Sequence, residues 1–268
     1  MPDIIFQNKK IFYRIEGKGN PVMLLHGFAE TNNVWEYQTD QLKKKFLVII
    51  PDIPGSGASD LLEGDGSIDE YAKFVKAIAD AEGFTANSRR FSMIGHSMGG
   101  YITLAFTEKY PELLNSIGLF HSSAYADDEA KKETRRKGIE FIKNNGAAAF
   151  LKTTSPNLFS QETRKENPVL VDDLLSLSKK FSEAPLIQYY NAMMRRPDRS
   201  HILKSFEKPV LFIIGKDDKA VPLQVSLEQC HLPAISFVQV LQHSGHMGMW
   251  EEKDRSNQFL EDFLERLH

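Results

Sequence analysis

The chain has 268 residues, 41% of them hydrophobic and 26% charged, which is enough apolar material for a sizeable core without a disulfide or metal staple. Its 33 basic and 36 acidic residues are dispersed and nearly cancel, with no basic stripe to track phosphates, so nucleic acid is not an expected partner. The single cysteine, Cys230, excludes an internal disulfide, no apolar run approaches the roughly 20 residues that cross a bilayer, and the opening residues lack a signal-peptide pattern, so a soluble cytoplasmic protein without a membrane partner is expected.

Short β-branched runs alternate with stretches of helical period, the pattern of a mostly parallel sheet with helices on its faces. In chain order the expected strands are DIIFQ, KIFYRIEG, PVMLLHG, FLVIIPD, RFSMIGHS, SIGLFHS, PVLFIIGKDD and ISFVQVLQ. The first two are separated by a short loop and read as an antiparallel hairpin. The expected helices include NNVWEYQTDQLKK, SIDEYAKFVKAIADAEG, MGGYITLAFTEKYPE and the C-terminal EEKDRSNQFLEDFLERL. In the second of these, Ser67 precedes Glu70 by three residues, as in a capping box, and Gly83 ends the pattern. Between about 122 and 205 the sequence is helical, charged and punctuated by Pro156, Pro168, Pro185 and Pro197. Because strand patterns resume after it, 122–205 is expected to be an inserted helical subdomain, with 1–121 and 206–268 forming one core.

The stretch RFSMIGHSMGGY places Ser97 between Gly95 and Gly99–Gly100 where a strand must turn sharply into a helix. Glycine on both sides removes the Cβ atoms that would clash in so tight a turn, and forces the serine out at the strand tip. Gly-x-Ser-x-Gly alone is a weak signal; three further elements give it meaning. LLHGF ends the third strand, where the N–H of Phe28 can join that of Met98 as donors to an oxyanion. FIIGKDDKAVP ends the seventh strand with two acids, Asp217 and Asp218, one of which could orient a catalytic imidazole. LQHSGHMGMWEE follows the eighth strand with His243 and His246; a zinc pair lacks a third ligand at matching spacing, and His246, beside Gly245 and ahead of the last helix, is the better general base. No metal and no cofactor are called for.

HGF at 26–28, PDIPGSGASD at 51–60, GHSMGG at 95–100, GKDDKAVP at 215–222 and SGHMGMWEE at 244–252 together resemble the α/β-hydrolase superfamily across essentially the whole chain. The resemblance implies an α/β fold with an eight-stranded, mostly parallel sheet in the order 1-2-4-3-5-6-7-8 and a helical cap inserted after strand six. It also implies Ser97 as nucleophile, His246 as base, Asp218 as its partner, and Phe28 and Met98 as the oxyanion hole. Asp52 is read as structural. Serine at 97, where epoxide hydrolases and haloalkane dehalogenases carry aspartate, favours acyl chemistry.

Expected substrate contacts are His26 and Gly27 beside the oxyanion loop, Trp250 four residues after His246, and Tyr189, Met193 and Met194 from the insertion. With Phe141, Phe150, Leu158, Phe159 and Tyr190, the insertion's residues could equally form its own core. Arg195 and Arg196 close a helix, where cations complement the dipole. The expected function is a serine hydrolase of small to medium carboxylic esters, acting through an acyl-enzyme on a small-molecule ester. The alternatives are a carbon–carbon hydrolase of diketone-like substrates with the same triad, or a ligand-sensing receptor that retains it.

Overall fold

The computed structural model describes residues 2–267 apart from residues 65 and 88. Eight strands form one sheet: β1 (Asp3–Phe6), β2 (Lys9–Gly17), β3 (Asn20–Leu25), β4 (Phe46–Pro51), β5 (Phe91–His96), β6 (Leu114–Phe120), β7 (Val210–Gly215) and β8 (Ser236–Leu241), in the order β1-β2-β4-β3-β5-β6-β7-β8. β1 and β2 pair antiparallel as a hairpin, and β2 pairs antiparallel with β4; every other pairing is parallel. Gln7 and Asn8, both at positive φ, make the hairpin turn.

Period-two alternation divides the strand residues between the two faces. Met23 and Leu25 of β3 and Met93 of β5 join one core, with Tyr71, Phe74, Val75 and Ile78 of α2 (Ile68–Ala81) and Ile102 and Phe106 of α3 (Met98–Lys109). Val22, Leu24 and Ile94 join the other, with Leu42 of α1 (Glu36–Leu42) and Leu260, Phe263 and Leu264 of the last helix (Lys253–Glu265). Ser67 caps α2 by accepting the Glu70 N–H at 3.1 Å, as the capping pattern predicts.

Two helix boundaries differ from the sequence pattern. The segment expected to be a helix from Asn32 opens as a 3₁₀ turn over Asn32–Trp35 before α1. The C-terminal helix begins at Lys253, because Glu251 and Glu252 turn their carboxylates onto backbone and side-chain donors of the 243–247 loop. Between β6 and β7 lie five helices, α4 (Glu129–Thr154, broken at Gly146, φ 84°), α5 (Gln161–Glu166), α6 (Val169–Ser178), α7 (Glu183–Arg195) and α8 (Ser200–Ser205). Ile142, Phe150, Leu151 and Leu186 give this segment a small core of its own, against which Phe28 packs. Among the described residues no helix is long and apolar enough to cross a membrane.

Candidate active site

Ser97 sits between the end of β5 and the start of α3 at φ 50° and ψ −114°, a conformation that costs a non-glycine residue on the order of 1–3 kcal/mol. The neighbours over-determine it: Ser97 N–H donates to Phe120 O at 3.0 Å, and its carbonyl accepts from Gly100 N–H at 3.0 Å and Ser122 Oγ at 2.7 Å. A Cβ on Gly95 would fall 2.3 Å from the Gly99 carbonyl carbon, so strand and helix can cross this closely only without it. In the otherwise buried run 91–100, Ser97 alone is partly exposed.

Asp218 and His246 come together beside this elbow, His246 Nδ1 donating to Asp218 Oδ2 at 2.7 Å. The other carboxylate oxygen accepts the N–H groups of Ala220 at 2.8 Å and Val221 at 2.9 Å. Burial opposes the Asp218 charge, yet the facing histidines hold its carboxyl far below the usual range. Burial likewise opposes protonation of His246, but the Asp218 charge and hydrogen bond outweigh it and raise its pKa above the ordinary imidazole value. Asp217 is exposed, and His243 is exposed and bonded to Glu162 at 3.0 Å, so neither belongs to the cluster. Among the described residues no hydrogen bond joins Ser97 Oγ to His246; such contacts often tighten only when substrate binds.

His26 is fully buried and fixes the 26–30 loop. Its Nδ1–H donates to Gly27 O at 2.9 Å and its Nε2 accepts the Ile53 N–H at 3.0 Å, a consistent neutral tautomer, and burial lowers its pKa. With the Gly27 carbonyl held on one side, the trans peptide turns the Phe28 N–H to the other. Gly27 lies against the elbow, where a Cβ would sit 3.1 Å from Ser97 Cβ. Among the described residues neither the Phe28 nor the Met98 N–H has an acceptor, and Met98 opens α3, whose dipole favours negative charge there.

Several expected substrate contacts are placed elsewhere. His26 is consumed in pinning loops and presents no open edge. Trp250 packs in the sheet core, donates its indole N–H to Val34 O at 2.8 Å and shows its edge to an outer groove with Tyr37 and Asn167. Tyr189 is fully buried with its hydroxyl given to Pro54 O at 2.8 Å, and Met193 is buried in the same core; Met194 is half-buried. Phe159 joins the sheet core, whereas Tyr190 stacks on the Phe28 ring at 4.4 Å with Phe150 edge-on. Arg196 is committed to Asp127, Met193 O and Tyr125 O, and Arg195 donates to Gly66 O. A cavity of about 930 Å³ between the 31–33 and 55–58 loops and the 176–181 segment has neither Ser97 nor His246 in its lining.

Three groups escape the sequence reading. Glu30 and His96 form a buried contact beside the elbow, and Glu251 accepts the N–H groups of Gly245 at 2.8 Å and Ser160 at 2.8 Å, tying the His246 loop to the inserted helices. His121, at the end of β6, stands 3.3 Å from Asp218 Oδ2 with its pKa pushed down to about 4 by burial. A histidine ending a buried strand, as His96 and His121 both do, was the available signal. His121, Asp218 and His246 bring ligand-type atoms within 4.8 Å of one another. Within this group Asp218 Oδ2 accepts from His246 Nδ1, Asp218 Oδ1 accepts the Ala220 and Val221 N–H groups, and the His121 ring lies against the N–H groups of Gly215 and Gly248.

An eight-stranded sheet in this order, with a strained serine between β5 and α3, is the α/β-hydrolase architecture. A family model described as the alpha/beta hydrolase fold matches residues 20–138, and the chain has the α/β-hydrolase fold. It is 28% identical over 267 residues to a 2-hydroxy-6-oxononadienedioate/2-hydroxy-6-oxononatrienedioate hydrolase of Paraburkholderia phymatum, covering 95% of this chain and 91% of that protein. A thermophilic esterase from Thermogutta terrifontis superposes with a TM-score of 0.91 at 25% identity, over 97% of this chain and 94% of the other. An enol-lactonase from Burkholderia xenovorans shares the fold with a TM-score of 0.90 at 20% identity, over 98% and 99% of the two chains. The family and these relatives support hydrolytic activity.

Proposed function

We propose that the protein is a serine hydrolase of small to medium carboxylic esters that needs no cofactor. The observation that carries the reading is the 2.7 Å Asp218–His246 bond beside a partly exposed Ser97 in a strained strand-to-helix turn. Ser97 Oγ attacks the ester carbonyl while His246 Nε2 takes its proton, and Asp218 stabilises the resulting imidazolium. The Phe28 and Met98 N–H groups receive the developing oxyanion. His246 then protonates the leaving alkoxide, and water activated by the same imidazole releases the acid and regenerates Ser97. The helices between β6 and β7 act as a cap, lending Tyr190 and Phe150 to an apolar wall against Phe28.

A second reading, hydrolysis of a carbon–carbon bond, is favoured by the name of the Paraburkholderia relative. That reaction needs polar groups to hold a dienol or carboxylate, and of the candidates Arg195, Arg196 and Trp250 the first donates to Gly66 O while the other two are spent on Asp127 and Val34 O. Ester cleavage therefore asks less of this site. A panel of p-nitrophenyl esters and a vinylogous diketone, run against the wild type and Ser97→Ala, tests both. The ester reading expects kcat/KM for the best ester to exceed that for any diketone by at least about tenfold, or roughly 1.4 kcal/mol. Faster diketone turnover would transfer the assignment to carbon–carbon hydrolysis.

A further inference from the structure

Glu30 and His96 have no chemical step in this mechanism, yet both are buried, with relative exposures of 4% and 0%. Isolating a carboxylate from water costs several kcal/mol unless partners replace the solvent. Here they do: Glu30 Oε2 accepts the Gly27 N–H at 2.6 Å and faces His96 Nδ1 at 2.9 Å. His96 Nε2, in turn, donates to the main-chain carbonyl of His246 at 2.9 Å. Each ring nitrogen of His96 thus faces an oxygen acceptor. The rings of Trp35 and Phe120 stand edge-on to the imidazole at 6.3 and 6.2 Å, which fixes its plane. A Cβ on Gly27 would lie 3.0 Å from His96 Nδ1, so glycine there gives the pair its room.

The three contacts form a continuous path from the loop that offers the Phe28 N–H, past the residue preceding Ser97, to the backbone of the general base. We propose that Glu30 and His96 are a positioning pair that holds the oxyanion loop and His246 at a fixed separation, so that both meet the same transition state. The proposal rests on the serine-hydrolase reading above. Oxyanion stabilisation and proton transfer develop together, so loosening this separation lowers kcat while leaving the ground-state fit of the substrate, and hence KM, nearly intact. The isosteric amide is informative because one oxygen of Glu30 serves both partners. In Glu30→Gln that oxygen can still accept the Gly27 N–H, but a neutral amide is a weaker acceptor toward His96 Nδ1 than the carboxylate.

The experiment measures kcat and KM on a p-nitrophenyl ester, with melting temperatures, for the wild type, Glu30→Ala, Glu30→Gln, His96→Gln, Glu30→Ala/His96→Gln and Ser97→Ala. Glu30→Ala is expected to lower kcat about 30-fold or more with KM within about threefold, and Glu30→Gln to fall between it and the wild type. Because the pair acts as a unit, the double variant should be no more than about threefold slower than the slower single variant. If Glu30→Ala does not fold, the isosteric Glu30→Gln carries the test alone. Wild-type kcat in the Glu30 variants, a loss confined to KM, or single losses that multiply in the double variant would overturn the pair while Ser97→Ala stays inert. Full turnover by Ser97→Ala would instead overturn the serine reading, and the pair's role with it.

Discussion

Replacing Asp218 by asparagine changes one atom, and the structure dictates where that atom goes. The oxygen that accepts the Ala220 and Val221 N–H groups at 2.8 and 2.9 Å must stay an oxygen, so the new NH₂ lands in the place of Oδ2, 2.7 Å from His246 Nδ1. An amide N–H pointing at Nδ1 requires that nitrogen to be unprotonated, which places the ring proton on Nε2, the atom that must receive the Ser97 proton. Recovering the working tautomer means turning the amide over and setting its NH₂ against two backbone donors. Two lost buried hydrogen bonds at about 1–3 kcal/mol each, together with the lost charge opposite the imidazolium, amount to roughly 4–6 kcal/mol. That corresponds to a fall in kcat of about a thousand- to ten-thousand-fold, the order expected for the same change in a serine-protease triad. Asp217→Asn, at an exposed carboxylate, should alter kcat by less than about twofold. The assay is kcat on p-nitrophenyl butyrate at saturation, with circular dichroism to establish folding. A folded Asp218→Asn enzyme within tenfold of the wild type would refute the reasoning, as would greater damage from Asp217→Asn.

A fluorophosphonate probe should label the wild type at one serine and fail on Ser97→Ala, because the proposed mechanism gives the elbow serine a base and an oxyanion site; labelling that survives the substitution shows the nucleophile to be elsewhere. His246 must be neutral to act as base and its pKa lies above the ordinary imidazole value, so kcat/KM should rise with pH and level off only beyond about pH 6.5; a profile already flat from pH 5.5 would count against Asp218 holding that proton. His121 is buried neutral with its pKa pushed down from 6.5 to about 4, so the unfolded chain binds the extra proton across that window and stability is lost as pH falls through it, by roughly 3 kcal/mol from this group. His121→Gln should therefore flatten the fall in urea midpoint between pH 6.5 and 4.5, and an unchanged slope would remove His121 from the account. Arg196→Ala should cost melting temperature, because Asp127 loses a buried partner, while ester kcat changes little; a selective loss of turnover in a protein of unchanged stability would give the arginine a substrate role.

The sequence by itself determined the eight strands, their α/β class and the residues around Ser97, because those features are local. Buried parallel strands leave unbroken apolar runs, and a turn this tight admits only glycine at Gly95 and Gly99. The His26, Asp218 and His246 loops were legible for the same reason, each being a short polar stretch at the end of an apolar run. Which acid of the adjacent pair meets His246 was decided in three dimensions. Asp218 faces His246 while Asp217 faces water, since successive residues of a loop leave in different directions. Trp250 and Met193 were expected substrate contacts, but the tertiary structure buries both in the core, where their apolar surface is removed from water. The sequence marks His96 only as a histidine ending a buried strand and gives no sign that Glu30 is its partner. The two residues are 66 positions apart and meet only because β3 and β5 lie side by side in the sheet, which brings a loop and a strand end within hydrogen-bond reach.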